Sequence, residues 1–531
     1  MEDIKEIVYK EGDLVFKEKY IKEGIEKTRK RSSLYSIILV GTLLLNACAA
    51  NSAIAAIPNL VYEPSYLCKE TNSIKDGFTK KCQKEFVCDS YHVEGVDYIL
   101  DIKKFKRSLV TDYGIYCSNF KISTFGTSYF FGGVIGLIIW PFLLKDFGNI
   151  STINYASFVC IICNFFLLII NNYWLGITVF TISMIARSIL QVPSVQYSVE
   201  MVRPDERRII LGLMVAMNSF SGLILNLMDV TVGDYKGEII SNTFLFLISI
   251  ILVHFLLVDS SSNTFVRGKY KQIIDDLDHI SKINASQKEF KEWKDKIYED
   301  SKLNNENSLH VNEIEGKKNK FDLVDYISIW RLKGVTVKLI IFTFFFFTSQ
   351  FNLIFLFYEV QNVPNFFFIS TLCYLIDIAG FFFGTYIINV PQLGRRYSSI
   401  IFNIAAGISY VVTAIVLFYT GNFYLIFLNR FLNSTLQKIL VSYVFESFPT
   451  VLRPYSTAIT RIAGRLFNIP SPILMINYRF ISYILVGVLN ILLAWGIYYF
   501  EIEETLHKEI EELNEEFKNP EYLKSRQLKH E

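Results

Sequence analysis

The sequence predicts an all-α membrane protein with twelve spanning helices. Hydrophobic residues make up 51% of the 531 residues and charged residues only 20%. The apolar residues are concentrated in stretches of roughly 20, each long enough to cross about 30 Å of hydrocarbon as a helix. Because lipid offers no hydrogen bonds, a spanning backbone must pair its own polar groups, and a helix does so within one segment.

Six predicted spans precede a long charged segment and six follow it. Their boundaries fall at polar, Gly- or Pro-bearing breaks, which places the spans at 34–58, 122–144, 153–171, 174–198, 209–230, 239–258, 336–358, 364–390, 398–419, 423–445, 455–475 and 481–500. They predict one six-helix bundle over 34–258 and a second over 336–500. The long segments outside the spans are the N-terminal segment 1–33, the loop 59–121 within the first bundle, the linker 259–335 and the tail 501–531.

Lysine and arginine flank the spans unevenly. They precede the first span and follow the fourth, eighth and tenth, whereas the short connections 171–174, 359–363 and 420–422 carry none. Since basic residues stay on the cytoplasmic side, we expect both termini and the linker to be cytoplasmic and loop 59–121 to be external. The first 33 residues are charged and show no pattern of a removable signal peptide.

Half of the eight cysteines lie in the external loop, namely Cys68, Cys82, Cys88 and Cys117. Four cysteines in one external segment predict two disulfides with three possible connectivities, and four unpaired thiols are the alternative. The other cysteines lie within spans, where a free cysteine acts as a small apolar residue. Paired cysteines favour the secretory route, so we expect the plasma membrane, with an internal organelle membrane as the alternative.

The segments predicted to be cytoplasmic show amphipathic patterns. Residues of 273–280 share one helix face, as do Phe290, Trp293 and Ile297, and we expect these faces to dock against the bundle. Near the N-terminus, Ile4, Ile7, Val8 and Leu14 suggest a further surface helix.

No residue pattern indicates covalent catalysis, a metal site or a phosphate-binding loop, so the sequence predicts neither an enzyme nor a cofactor. The net charge of +2 gives no sign of a nucleic-acid partner. Charges within the spans carry the functional signal instead, because each costs roughly 2.5–3.5 kcal/mol at mid-bilayer unless it faces a cavity or a partner. They are Arg187, Asp229, Asp377, Arg430, Lys438, Arg461 and Arg465.

Four motifs occur at corresponding topological positions. They are Ser108-Leu109-Val110-Thr111-Asp112-Tyr113 with Cys117 before the second span, Asp259-Ser260 with Arg267-Gly268-Lys269-Tyr270 after the sixth, Leu393-Gly394-Arg395-Arg396 after the eighth, and Tyr443, Glu446 and Phe448-Pro449-Thr450-Val451-Leu452-Arg453 after the tenth. Together with the arrangement of six spans, a long linker and six more spans, these motifs resemble the major facilitator superfamily. Within it they resemble the organic cation and organic anion transporters, so the chain is similar to a divergent member of that family. The resemblance implies the major facilitator fold, a large extracellular loop between helices 1 and 2, and a small organic ion as partner in addition to the lipid bilayer.

The resemblance also implies a latch of charged residues at the cytoplasmic ends of the helices. The candidates are Glu200, Arg207, Arg395, Arg396, Glu446, Arg453 and Arg461. The first-half counterpart departs from the family pattern, since its glycine, aspartate and final arginine are missing from Pro141-Phe142-Leu143-Leu144-Lys145-Asp146-Phe147-Gly148-Asn149. These departures imply an altered gating balance or a chain that no longer transports.

Arg465 is the leading candidate for substrate binding. From Arg453 to Pro472 the chain is similar, without gaps, to helix 11 of the anion transporters, and Arg465 falls where anion members place an arginine. A guanidinium can bind a carboxylate or sulfonate through two parallel hydrogen bonds. The alternative is that Arg465 pairs with Asp377 or a backbone carbonyl and never meets substrate. Asp377 matches an acidic position of helix 8, but the lysine expected after it is Phe381 here.

The remaining binding candidates have structural alternatives of equal standing. Arg187 lies mid-span with Gln191 one turn on, and Gln437 and Lys438 lie together in the tenth span. A lysine can snorkel to the membrane surface. The phenylalanines of 342–347 suggest an aromatic box, although most of them must face lipid or other helices.

The sequence therefore predicts a carrier of small organic ions, with anions favoured over cations, that works by alternating access. A transporter-like subunit that has become structural within a larger membrane assembly is the second hypothesis. A sugar-type carrier is the third.

Overall fold

The computed structural model describes residues 8–11, 14–17, 23–25, 27–28, 33–62, 66–68, 80–82, 88, 98–100, 107–115, 117–202, 204–232, 234–261, 264, 269–307, 333–361, 366–420, 424–448, 453–502 and 504. Twelve membrane helices follow the predicted spans. The first six are α1 (Leu34–Leu60), α3 (Asn119–Phe147), α4 (Asn149–Ile169), α5 (Tyr173–Met201), α6 (Pro204–Val232) and α7 (Tyr235–Leu256). The short α2 (Leu109–Asp112) precedes α3.

The second six are α10 (Lys333–Gln361), α11 (Phe366–Ile387), α12 (Gly394–Thr420), α13 (Leu425–Ser447), the broken pair α14 (Arg453–Phe467) and α15 (Ser471–Asn477), and α16 (Arg479–Tyr499). Ten of the described helices are long and apolar enough to cross a membrane. The two positions that fall short are α13 and α14–α15, the tenth and eleventh predicted spans. Both are rich in polar residues, and they carry the buried cations Arg430, Lys438 and Arg465.

The eleventh span is interrupted rather than continuous. A turn over 468–470 separates α14 from α15, and Pro470 precedes the first residue of α15. The Asn468 amide donates to the carbonyls of Phe347 (3.0 Å) and Gly464 (2.8 Å), so it satisfies backbone oxygens near the break. Discontinuous helices are tolerated at membrane depth where neighbouring groups satisfy the freed backbone.

Each group of six packs as a bundle. In the first, α1 contacts α5, α6 and α7, while α4 contacts α5 and α7. In the second, α12 contacts α13 and α16, α11 contacts α13, and α10 contacts α14. The bundles meet along a seam where α3 contacts α14 and α15, α6 contacts α11 and α13, and α1 contacts α10.

We call the side of the bundles that carries loop 62–117 the loop side. Its short strands β3 (Tyr66–Cys68), β4 (Lys80–Cys82) and β5 (Tyr98–Leu100) form an antiparallel sheet with β3 in the centre. Cys88 and Cys117 form a disulfide with a Cα–Cα distance of 5.5 Å. This bridge accounts for one of the two disulfides that the sequence predicts. The side chains of Cys68 and Cys82 lie outside the described residues, so the second bridge remains a prediction.

The end of this loop is fixed to the first bundle. The Ser108 side chain caps α2 and donates to the carbonyl of Tyr62 (2.7 Å). The Asp112 carboxylate accepts from Arg107 Nε (2.7 Å) and from the Tyr235 hydroxyl (2.8 Å) at the start of α7. These contacts join the loop to the ends of α1 and α7.

The opposite, linker side carries α8 (Tyr270–Ile283) and α9 (Gln287–Asn307). Their predicted apolar faces are buried, with Leu277, Trp293 and Ile297 at 0% exposure. The Asn284 side chain accepts from the Tyr35 backbone N–H at the start of α1 (2.9 Å) and donates to the Thr28 carbonyl (2.9 Å). The prediction of an N-terminal surface helix is wrong within the described residues. There, β1 (Val8–Glu11) and β2 (Leu14–Lys17) pair as an antiparallel hairpin.

One carboxyl at this docked surface is expected to sense pH. Burial, together with the charges of Asp259 and Asp275, raises the pKa of Asp276 on α8 from 3.8 to about 7. A carboxyl with a raised pKa favours the docked state when protonated, so its ionisation disfavours docking progressively as pH rises from about 4 through 7.

We therefore predict that α8 is protected more strongly at pH 6 than at pH 8. Hydrogen exchange of 270–283, corrected for intrinsic rates, measures this difference. The Asp276→Asn variant should lose the pH dependence, whereas Asp278→Asn, which alters a partly exposed pair with Lys282, should keep it. Equal protection of the wild type at both pH values would contradict the prediction.

Candidate functional site

The seam between the bundles is closed by contacts along its length. Towards the loop side, Thr127 Oγ1 donates to the Ile469 carbonyl (3.3 Å) and Asn226 Nδ2 to Thr371 Oγ1 (2.6 Å). Near the middle, Ser219 Oγ lies 3.5 Å from Asp377 Oδ2. These polar contacts join α3 to α14–α15 and α6 to α11. If the bundles moved apart, the side chains of the seam would have to exchange these hydrogen-bond partners for others.

Arg465 lies in the middle of this seam and is 3% exposed. It belongs to the second bundle, yet its terminal nitrogens donate to Ser188 Oγ (2.6 Å) and Gln191 Oε1 (2.7 Å) on α5 of the first. Its guanidinium carbon lies 5.4 Å from the ring centroid of Tyr129 on α3. Both acceptors are neutral, and its buried Nε has no hydrogen-bond partner.

Gly133 on α3 makes room for this guanidinium. A Cβ at position 133 would overlap Arg465 Nη1 and lie 3.0 Å from its Cδ. The absence of a side chain therefore lets α3 and α14 approach with the cation between them. Arg465 is enclosed by both bundles at once.

Arg461 lies one turn before Arg465 on the same helix. Its guanidinium carbon is 5.8 Å from the ring centroid of Phe346 on α10. Residues four apart share a helix face, so the two guanidinium groups point towards the same region of the seam. Phe346 is thereby the member of the 342–347 run that contacts a seam cation, whereas Phe342 packs on Tyr443 and Phe448.

Asp377 pairs with Arg430 rather than with Arg465. Arg430 donates to both carboxylate oxygens, with an Nε–Oδ1 distance of 3.2 Å. Ser434 Oγ donates to Oδ1 as well (2.8 Å), and both charged side chains are almost fully buried. This pair joins α11 to α13 within the second bundle, which leaves Arg465 without a carboxylate from Asp377.

Lys438 and Gln437 continue the seam towards the linker side. Lys438 is 0% exposed, and its Nζ is 3.6 Å from an ideal Cβ placed on Gly212 of α6, in the opposite bundle. Gln437 is buried and its Nε2 has no hydrogen-bond partner. Phe381 is buried in α11 and supplies no polar group.

Arg187 lies within the first bundle, away from the seam. It donates to the Ala49 carbonyl (2.8 Å), Ser52 Oγ (3.0 Å) and Asn242 Oδ1 (2.6 Å), which tie α5 to α1 and α7. The adjoining cavity measures about 30 Å³, room for about two waters but not for an organic solute. This geometry favours the structural alternative for Arg187.

Two of the predicted latch residues, Arg395 and Glu446, pair on the linker side within the second bundle. Arg395 Nε lies 2.6 Å from Glu446 Oε2, joining the start of α12 to the end of α13. Glu504 in the tail accepts from the backbone N–H groups of Arg395 and Arg396, each at 2.9 Å. Gly394 has φ +55, and a Cβ there would overlap the Glu504 carboxylate, which explains the glycine of this motif. The side chains of the predicted latch residues Glu200, Arg207 and Arg453 lie outside the described residues.

Sequence reasoning missed a group of neutral polar residues on α10 and α6. Buried side-chain atoms without a hydrogen-bond partner include Ser349 Oγ, Gln350 Oε1, both amide atoms of Asn352, and Asn218 Oδ1. Gln350 lies one turn after Phe346 and so shares its helix face. Polar residues within the otherwise apolar seventh span were the signal in the sequence that could have indicated this group.

The described part of the seam therefore carries two buried cations, Arg465 and Lys438, and the partly buried Arg461, in addition to the neutralised Asp377–Arg430 pair. Buried neutral amides and hydroxyls lie on the same helices. Taking such charges out of water is costly unless hydrogen-bond acceptors or counter-ions replace the water. The arrangement suits an anionic molecule that also has polar atoms.

Comparison with known proteins identifies the architecture. Residues 108–472 match the family model described as Major Facilitator Superfamily. The solved structure of the proton:xylose symporter XylE bound to 6-bromo-6-deoxy-D-glucose is 15% identical, with 90% of this chain and 98% of that chain covered and a TM-score of 0.63. The inward open xylose transporter XylE from E. coli is 15% identical, with 90% and 99% covered and a TM-score of 0.57. No curated protein matches the sequence.

The buried pair generates a stability prediction. Asp377→Asn should destabilise the protein by about 3–5 kcal/mol, because it leaves the Arg430 charge buried without its counter-ion. Thermal unfolding of the detergent-purified protein measures the effect as a lower midpoint. Replacing both partners, with Asp377→Leu and Arg430→Met, should recover much of the loss. An Asp377→Asn midpoint equal to that of the wild type would contradict the prediction.

Proposed function

This chain belongs to the major facilitator superfamily, and from that premise we propose that it carries small organic anions across a membrane by alternating access. Arg465 is the proposed principal contact for the anionic group. Arg461, Lys438 and Gln437 contribute to the same path. The observation that carries the proposal is a buried cation between two bundles whose hydrogen-bond acceptors, among the described residues, are neutral.

Charge decides between anions and cations. Asp377, the one described carboxylate at mid-seam, already neutralises Arg430. An organic cation would enter a region with an excess of positive charge, whereas a carboxylate or sulfonate would provide the missing counter-charge. The hydrogen bonds to Gln191 and Ser188 end on neutral oxygens, whereas a carboxylate or sulfonate adds the attraction of its opposite charge, so an anion can displace both side chains from the Arg465 guanidinium.

The seam contacts support alternating access. Each bundle is held together by buried internal links, such as Arg187 with α1 and α7 in the first and Asp377 with Arg430 in the second. Within the described residues, the polar links across the seam are hydrogen bonds rather than ion pairs. Two stiff bundles with an exchangeable interface suit a rocking motion about a central site.

The four motifs shared with the organic cation and organic anion transporters support this substrate class. The positive-inside pattern supports a cytoplasmic position for the linker and both termini. The Cys88–Cys117 disulfide supports an oxidising compartment on the loop side, and hence the plasma membrane.

A sugar-type carrier is the second candidate. Gln350, Asn352, Asn218 and Gln437 have buried polar atoms without partners, and neutral amides suit hydroxyl groups. The fold is also similar to that of a xylose transporter. Arg465 weighs against this candidate, because a sugar adds no counter-charge to a guanidinium whose described acceptors are neutral.

Uptake by the purified protein in liposomes tests the proposal. Labelled benzoate and benzenesulfonate represent anions, choline a cation and xylose a sugar. We expect saturable uptake of at least one anion and none of choline. Uptake of xylose alone would favour the sugar-type carrier, and uptake of none of the probes would favour a structural subunit.

The Arg465→Ala variant should lower kcat/KM for the anion by about 30-fold or more, because truncating a buried charged contact costs about 2–5 kcal/mol. Arg465→Lys should retain part of the activity because it keeps the charge but loses the two-pronged geometry. Lys121→Ala, which removes an exposed cation at the loop-side end of α3, is the matched control. Unchanged anion uptake by a folded Arg465→Ala protein would refute the assigned role.

Gly133→Ala tests the same site without removing the charge. The added methyl group should displace the Arg465 guanidinium and lower kcat/KM by about tenfold or more, since a shift of about 1 Å in a binding group has effects of that size. Gly41→Ala, where a Cβ meets nothing within 4 Å, should transport like the wild type. Equal uptake by both variants would contradict the packing argument.

A further inference from the structure

A short chain of hydrogen bonds ties Arg465 to two helices of the first bundle. Gln191 Oε1 accepts from Arg465 Nη2 (2.7 Å), and Gln191 Nε2 donates to Asn51 Oδ1 on α1 (2.7 Å). The bond to Asn51 orients the Gln191 amide so that its oxygen faces the guanidinium. Ser188 Oγ, one turn earlier on α5, accepts from Nη1 (2.6 Å).

These two neutral oxygens imitate an anion. A carboxylate that meets a guanidinium end-on places one oxygen on each terminal nitrogen. Ser188 and Gln191 supply one oxygen to each of the same two nitrogens from a single helix face. The hydrogen-bonding capacity of that edge is therefore satisfied, although no charge is neutralised.

We propose that Ser188 and Gln191 are substitute acceptors that let the carrier close its seam without substrate. This inference rests on the proposed function, and it assigns these residues a positioning role that acts through Arg465. An incoming anion displaces them and takes over both terminal nitrogens. When the anion leaves, they return, and the empty carrier can pass through the closed state to collect another molecule.

The physical reason is the cost of burying an unsatisfied guanidinium. If the seam closes over Arg465 with no acceptor, several buried N–H groups lose their hydrogen bonds to water and gain nothing in exchange. A loaded carrier avoids this cost because the anion brings its own oxygens. The substitute acceptors therefore matter only for the return of the empty carrier, and they permit net transport rather than obligatory exchange.

Comparison of two transport modes tests the inference. Net uptake of labelled benzoate or benzenesulfonate into liposomes without internal substrate requires the empty carrier to return. Exchange, in liposomes preloaded with the same unlabelled anion, does not. We expect Gln191→Leu to reduce net uptake by about tenfold or more, in line with the cost of buried unsatisfied donors, while exchange is largely kept. Adding Ser188→Ala should widen the difference.

Two further variants serve as controls. Ser194→Ala on the same helix removes hydrogen bonds to Asn46 and Leu190 within the first bundle, and it should leave the ratio of net uptake to exchange unchanged. Gln191→Glu places a permanent carboxylate against Arg465 and should suppress both modes by excluding the anion.

Equal loss of net uptake and exchange in Gln191→Leu would overturn the inference and leave the proposed function standing. So would an unchanged ratio in the double variant. If the wild-type protein takes up neither anion in either mode, the proposed function fails, and the inference fails with it.

Discussion

The burial of Arg465 between two bundles is the constraint on which the centre of this protein depends. A guanidinium at mid-membrane depth needs acceptors for its donors and compensation for its charge. Ser188 and Gln191 provide the acceptors from the opposite bundle, and Gly133 provides the space. The compensation for charge is incomplete within the described residues, and the proposed anion site rests on this imbalance.

The other buried charges are treated differently, and the contrast separates architecture from function. Arg430 has Asp377 as its counter-ion, and Arg187 has carbonyl, hydroxyl and amide oxygens on three neighbouring helices. Each network lies within a single bundle, the Arg187 network in the first and the Asp377–Arg430 pair in the second, and each would move with its bundle as a unit. Arg465 differs because its partners belong to the other bundle, so any relative motion of the bundles must exchange them.

The extramembrane segments reinforce this division. On the loop side, Ser108 and Asp112 fix the loop to the ends of α1 and α7, all within the first bundle. On the linker side, Glu504 and the Arg395–Glu446 pair join α12, α13 and the tail within the second. Ties that stay within one bundle stiffen it without hindering motion at the seam, which is the mechanical condition for alternating access.

The sequence by itself determined the helices, because long apolar stretches in lipid have one way to satisfy their backbones. It also marked Arg465, Asp377 and Lys438 as unusual, because charge within a span is costly wherever it lies. Only the tertiary structure decided their partners: Asp377 took Arg430 instead of Arg465, and Arg187 was enclosed by its own bundle. The partners are distant in sequence, such as Gln191 and Arg465, and no local pattern encodes which helix faces meet. The turn over 468–470 and the strands β1 and β2 were likewise decided by packing against neighbours, since propensity alone suggested continuous helix in both places.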